Sequence, residues 1–272
     1  MKIYGTAKAG ALSKKNFGVA FGGGGVPAPS YPDGLGSSGD GSITGTSLDS
    51  TNKVNAFAES FEFNGSSDFC DLGNNFTGFI DNSSTYSFCL WIRGTIAQQS
   101  PTLTKDYTSH ATPYYSAGWR ASTFGGGTLD QLSNDSGSFS GNPNTEIRYA
   151  SPAINTWLLL VTTQTGTTQR FFVNNTEVSN GVFSSPVSLH PNYYSTNWFL
   201  GKARNYSAFF GGQMQALAFW DIEISSGIRA ELYNSGDGID LDDLSTRDNI
   251  KAYYKLDSSS VDGSTLVNRA VP

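Results

Sequence analysis

The sequence predicts an all-β protein: a two-sheet antiparallel jelly-roll sandwich with one short peripheral helix and an extended N-terminal arm. Three observations carry this. Short alternating or continuously apolar stretches recur along the chain and are separated by Gly, Asn and Pro turns. Charged residues make up only 15% of the 272, against about 25% in an average soluble domain, while aromatics reach 13%. A single stretch carries helical spacing together with a start and a stop signal. A chain of this length fits one large sandwich.

Residues 1–52 read as the arm. In "FGVAF", Phe17, Val19 and Phe21 alternate with small residues and form an apolar tip. From Gly22 to Thr51 the composition turns to Gly, Ser, Pro, Asp and Thr, which cannot bury enough apolar surface to offset ordering entropy, so a tether is expected. The four glycines Gly22 to Gly25 are no phosphate loop. They run into Val26-Pro27-Ala28-Pro29, where proline removes backbone donors and no helix N-terminus follows.

The sandwich is expected over residues 53–272. Its first strand lies in "AFAESFEFNG", with Phe57, Phe61 and Phe63 on one face and Asn64-Gly65 as the turn. Further strands are expected in "DFCDLG", "TYSFCLWIR", "TEIRYA", "TWLLLVTT", "QRFFVNN", "NWFLGKA", "QMQALAFWDIEI" and "IKAYYKLD". The helix is in "ISSGIRAELYNSGDG". Ser225 or Ser226 caps its start, Ile228, Leu232 and Tyr233 share a face, and Gly236 closes its end.

Composition also excludes partners. A net charge of −6 with no basic cluster beyond Lys14-Lys15 offers little to a nucleic-acid backbone. The longest apolar runs, such as "WLLLV", are too short to span a bilayer, and the opening residues lack the apolar core of an export signal. Cys70 and Cys89 are too few for a disulfide framework. Each is expected in a strand as a small buried residue, with a bridge between neighbouring strands left open.

The order of motifs resembles a LamG-like, concanavalin A-like lectin/glucanase domain. "FEFNGSSDFCDLGNNF" followed by "YSFCLWIR" is similar to that family's opening, and "NTWLLLVTTQTGTTQRFFVNNTEV" to its central hairpin. "WFLGKARNYSAFFGGQMQALAFWDIEISSGIRAELYNSG" resembles its closing strands and capped helix, and "AYYKLD" a strand beside the domain edge. The resemblance implies two packed antiparallel sheets. It also implies the settings where such domains occur, which are carbohydrate-binding, adhesive and virion proteins. The arm resembles, over few residues, those of phage structural proteins.

The expected role is therefore a non-enzymatic phage virion protein, of capsid-decoration or tail-fibre type. Its arm would grip other virion proteins and its sandwich would face glycans or neighbouring subunits. The alternatives are a carbohydrate-active enzyme or its binding module, and a bacterial adhesin. A homo-oligomer is compatible with fibre-type display, although no heptad or collagen-like repeat demands one.

The candidate residues follow. A near-duplicate, "HATPYYSAGW" and "HPNYYSTNW", places Tyr114, Tyr115 and Trp119, and again Tyr193, Tyr194 and Trp198, where they could stack on sugars or anchor a partner. The competing reading, which aromatic residues at loop and strand joints favour, has each Trp opening a core strand. No catalytic constellation stands out. The nearest acid pair, Asp221 and Glu223, lacks the third acid of a jelly-roll glycosidase and sits at a strand end. No cofactor is expected. Calcium enters only through the resemblance, at Asp68 and Asp71 or at Asp237, Asp240, Asp242 and Asp243, the latter more simply read as a solvated acidic loop.

Overall fold

A computed structural model describes residues 40–73, 85–97, 100–106, 115–121, 124–133, 146–150, 152–166, 168–178, 197–202 and 208–270. Among these, two antiparallel sheets form. The first has nine strands in the order β16 (Val261–Asp262), β17 (Thr265–Leu266), β1 (Gly41–Thr44), β4 (Phe69–Asp71), β13 (Trp198–Leu200), β6 (Ser100–Asp106), β7 (Tyr115–Ala121), β8 (Thr128–Ser133) and β9 (Glu146–Ala150). The second has eight. Seven run in the order β12 (Thr176–Glu177), β11 (Thr168–Val173), β10 (Leu158–Thr165), β5 (Thr85–Gly94), β14 (Gly211–Trp220), β3 (Ser60–Asn64) and β2 (Ser47–Asp49), and β15 (Ile250–Tyr254) pairs with the far half of β14.

Alternation along each strand sends every second residue between the sheets. Phe61 and Phe63 from β3, Phe88 and Leu90 from β5, Leu158 and Leu160 from β10, and Leu103, Trp119 and Leu200 from the facing sheet share one buried core. Asn64 closes the turn after β3, its side-chain oxygen accepting the N–H groups of Ser66 at 2.8 Å and Ser67 at 2.9 Å, while Gly65 takes φ 74.

A second apolar cluster covers the other face of the eight-stranded sheet. There Trp91, Leu159, Val161, Trp220 and Tyr253 meet Ile224, Leu232, Leu241, Leu244 and Ala270. The cover includes α1 (Ser226–Tyr233), capped by Ser225, whose hydroxyl oxygen accepts the Ile228 N–H at 3.3 Å. Leu232, its buried anchor, contributes roughly 2 kcal/mol by leaving water. The helix stops before Gly236. Asn234 adopts the left-handed conformation at φ 43 and returns its N–H to the Ala230 carbonyl, a position that asparagine tolerates.

Two expectations are corrected and one open alternative is closed. Gly41–Thr44 and Ser47–Asp49 belong to the sheets, so the sandwich takes in residues assigned to the tether. Such short strands, β1 between β17 and β4 and β2 at an edge, are held by backbone pairing and need no apolar period. Phe57 is not in the first strand: its N–H turns back to the Val54 carbonyl at 3.0 Å and its ring joins the cluster under the helix. Cys70 and Cys89 are both free and buried, in β4 and β5 of different sheets, so the bridge left open between them is not formed.

Candidate functional site

The two outer sheet faces differ. That of the eight-stranded sheet lies under the helix and the C-terminal residues, whereas β1, β4 and β13 of the nine-stranded sheet turn a mixed aromatic and polar row outward. Register sets that row. Ser42 pairs with Asp71, Asp71 with Phe199 and Phe199 with Thr104, while Cys70, Leu200 and Leu103 between them face the core.

Phe69 and Phe199 stand 6.3 Å apart in an edge arrangement, and the Lys202 ammonium lies 3.4 Å from the Phe69 ring centroid and 4.6 Å from that of Phe199. Gly201, at φ 80, makes the turn that returns Lys202 over the rings, and a Cβ there would strike the Phe63 ring at 2.7 Å. Beside them the Asn197 amide donates to both Asp71 oxygens, at 2.9 and 3.0 Å, and the Gly73 N–H donates to Asp71 Oδ1 at 2.9 Å. Aromatic edges, a fixed cation and an oriented carboxylate suit contact with a polar, ring-bearing surface.

The structure places the sequence candidates unevenly. Trp119 and Trp198 are wholly buried and pack on Phe88, with ring centroids 4.6 and 6.2 Å away, so neither offers a stacking face. Their strands are the reason: both rings occupy inward positions, beside Leu103 and Leu200. Tyr115 opens β7. Tyr114, Tyr193, Tyr194, both histidines and Phe17, Val19 and Phe21 lie outside the described residues. The register nevertheless relates the two repeats. Tyr115 pairs with Asp106 and Trp198 with Lys105, so both repeats enter strands flanking the end of β6.

The acids are engaged elsewhere. Asp221 pairs with Lys251 at 3.2 Å, and Glu223 accepts the Thr165 hydroxyl at 2.6 Å. The acidic loop is not simply solvated. Asp240 meets Lys255 at 2.6 Å and the Tyr253 hydroxyl at 3.1 Å, and Asp242 holds Arg247 at 3.0 Å and Arg269 at 2.5 Å. Asp68, nearly buried, accepts the Asn64 N–H at 3.0 Å. Among the described residues no cluster of three or more His, Cys, Asp or Glu side chains is arranged to hold a metal ion, and no helix is long and apolar enough to cross a membrane.

The model of the Laminin_G_3 family, described as the concanavalin A-like lectin/glucanases superfamily, matches residues 64–227. The chain belongs to that superfamily. No curated protein sequence matches this superfamily member. Among solved structures it is similar to a mutant of Trypanosoma rangeli sialidase displaying trans-sialidase activity. The TM-score is 0.52 at 11% identity, over 74% of this chain and 30% of the sialidase. It is also similar to full-length tailspike protein 2 of Escherichia coli O157:H7 bacteriophage CAB120, with TM-score 0.52 at 9% identity, over 85% of this chain and 31% of the tailspike. The superfamily member thus spans less than a third of each, and at these identities the likeness is one of fold.

Proposed function

We propose that this protein is a non-enzymatic structural component of a bacteriophage virion. It displays its concanavalin A-like sandwich toward glycans or neighbouring subunits and is held by its N-terminal arm. The observation that carries the reading is the outward row of the nine-stranded sheet, where the half-buried Phe69 and Lys202 and the buried Phe199 stand beside Asp71 and Asn197, and which, unlike the opposite outer face, no helix covers among the described residues. In this reading the Tyr114, Tyr115, Tyr193 and Tyr194 pairs extend that contact, because the described ends of the two repeats, Tyr115 and Trp198, lie in strands that flank β6. The apolar tip of Phe17, Val19 and Phe21 supplies the attachment. Many tethered copies raise effective concentration, so weak single contacts suffice. The fold shared with a phage tailspike fits such a role.

The test is truncation of residues 1–39, which leaves β1 and β2 intact. The folded truncation is expected to be excluded from particles. Normal incorporation would remove the anchoring role, and absence of the full chain from particles would remove the virion reading.

The fold shared with a sialidase favours a second reading, a carbohydrate-active enzyme or its binding module. Here Asp221→Asn and Glu223→Gln are the variants to assay. Loss of a hydrolytic activity in either would establish the enzyme reading. Unchanged turnover would remove these two acids from any mechanism.

A further inference from the structure

The core of the sandwich is left open at one margin. In the eight-stranded sheet, register aligns Ile92, Met214, Phe61 and Leu48 across β5, β14, β3 and β2 on the inward face. The first three are buried, but Leu48 is 44% exposed, the one large apolar side chain in that state among the described residues. β2 ends the sheet, pairing with β3 on one side and with no described strand on the other. Such an edge presents unpaired N–H and C=O groups to a further strand. On the outward face the corresponding row is polar, running Arg93, Gln213, Glu62 and Ser47.

A strand that fits this edge is apolar on one face, to continue the Leu48 row, and small on the other, to lie beside Ser47 and Asp49. The chain carries such a stretch. Phe17, Val19 and Phe21 alternate with Gly18 and Ala20. Charge agrees with the fit. Residues 1–39 hold four of the chain's 17 basic side chains, with Lys14 and Lys15 just before the stretch, and one of its 23 acidic ones. At the edge, Glu62 accepts the Ser47 hydroxyl and the Gln213 amide, each at 3.3 Å. Asp49 accepts the Gln213 amide at 3.2 Å and the Asn52 amide at 2.8 Å, so the side-chain donors to both carboxylates are neutral.

The arm's exit point identifies the occupant. Asp40 is fixed, its Oδ1 accepting the Asn268 N–H at 2.9 Å, and Gly41 pairs with Leu266. Between Phe21 and Asp40, three prolines within Val26–Pro32 favour a semi-rigid extended spacer of roughly 20 Å. A spacer of that kind carries the stretch away from the edge of its own chain and offers it to a neighbour's.

We propose that Phe17–Phe21 of a second copy of this chain adds to the open edge of β2, its alternate side chains covering Leu48 and its lysines facing Asp49 and Glu62. The inference rests on the anchoring role given to the arm above and names the arm's partner.

The experiment measures the mass of the full chain in solution by sedimentation velocity over a range of concentrations, beside two full-length variants. Leu48→Lys spoils the receiving edge and Val19→Lys the donated stretch. The wild type is expected to associate beyond the monomer, and each variant at least about tenfold more weakly with unchanged circular dichroism. An equal mixture of the two variants is expected to recover association as mixed pairs, because one supplies an intact edge and the other an intact arm. If Leu48→Lys does not fold, Leu48→Ser takes its place. A monomeric wild type would overturn the interface, as would variants that associate like the wild type or a mixture that stays monomeric. Particle incorporation is scored separately. A chain that enters particles while monomeric in solution defeats this interface alone, and one that associates but never enters particles defeats the virion reading alone.

Discussion

Trp119 and Thr162 are joined across the two sheets: the indole Nε1–H of one donates to the Oγ1 of the other at 3.1 Å, and both residues are fully buried. The bond locks β7 to β10 in the interior, where the surrounding contacts are apolar. Thr162→Val keeps the shape and removes the acceptor, leaving the indole N–H unmatched. A loss of about 1–3 kcal/mol is expected in urea unfolding. Trp119→Phe should cost at least as much through lost packing. The double variant should lose less than the sum of the two, and strict additivity would show that the bond contributes nothing.

That pair also shows what the sequence could and could not disclose. The apolar runs that became β5, β10, β11 and β14 were legible because their inward residues are large and their turns carry Gly or Asn. Gly41–Thr44 and Ser47–Asp49 were not, since strands of four and three residues have too few side chains to display a period. The burial of Trp119 and Trp198 was foreseen by the packing alternative and not by the stacking one. Phe69, Asp71, Asn197 and Phe199 could have been placed opposite Cys70 and Trp198 by alternation. Which outer face the helix and C-terminal residues cover depends on where they fold back, and no local pattern carries that. Lys202 reaches the rings only through the turn at Gly201, a tertiary fact.

The C-terminal residues are held by a clasp of charges that gives a second expectation. Burial alone would raise the Asp240 carboxyl, but donation from Lys255, the Asp242 N–H and Tyr253 holds it below its ordinary value of 3.8. Lys255 answers: burial would lower it, yet Asp240 and Asp257 keep its ammonium above the ordinary range. Asp240→Asn should cost about 1–3 kcal/mol, because Lys255 keeps only the more distant Asp257, at 3.6 Å, and Tyr253 faces an amide. The carboxyl pKa is depressed on folding, so its contribution is complete above pH 3.8 and fades as pH falls through the lower folded value. Acid unfolding of Asp240→Asn should therefore run more nearly parallel to neutral-pH stability than that of the wild type. Urea midpoints between pH 2 and pH 6 on the order of half a unit apart would reveal it.

Alkaline pH acts on the opposite set of groups. Burial pushes the Cys89 thiol up to about 12 from its ordinary 9.0, and raises Cys70 as well. The Tyr253 and Tyr254 hydroxyls, ordinarily at 10.0, are raised by burial and then by nearby carboxylates, Asp240 for the first and Asp40 for the second. All four groups hold their protons more tightly when folded. Their contribution is therefore complete below the unfolded values and is lost as pH rises from about 9 toward the folded ones. Stability measured by urea midpoint should thus be flat through neutrality and fall steeply above about pH 9. The same burial makes both thiols inert: a thiol reagent at pH 8 should leave the native chain unlabelled over hours and modify both cysteines at once in denaturant. Rapid labelling of the native protein would mean that β4 or β5 opens locally, since neither sulfur is otherwise accessible.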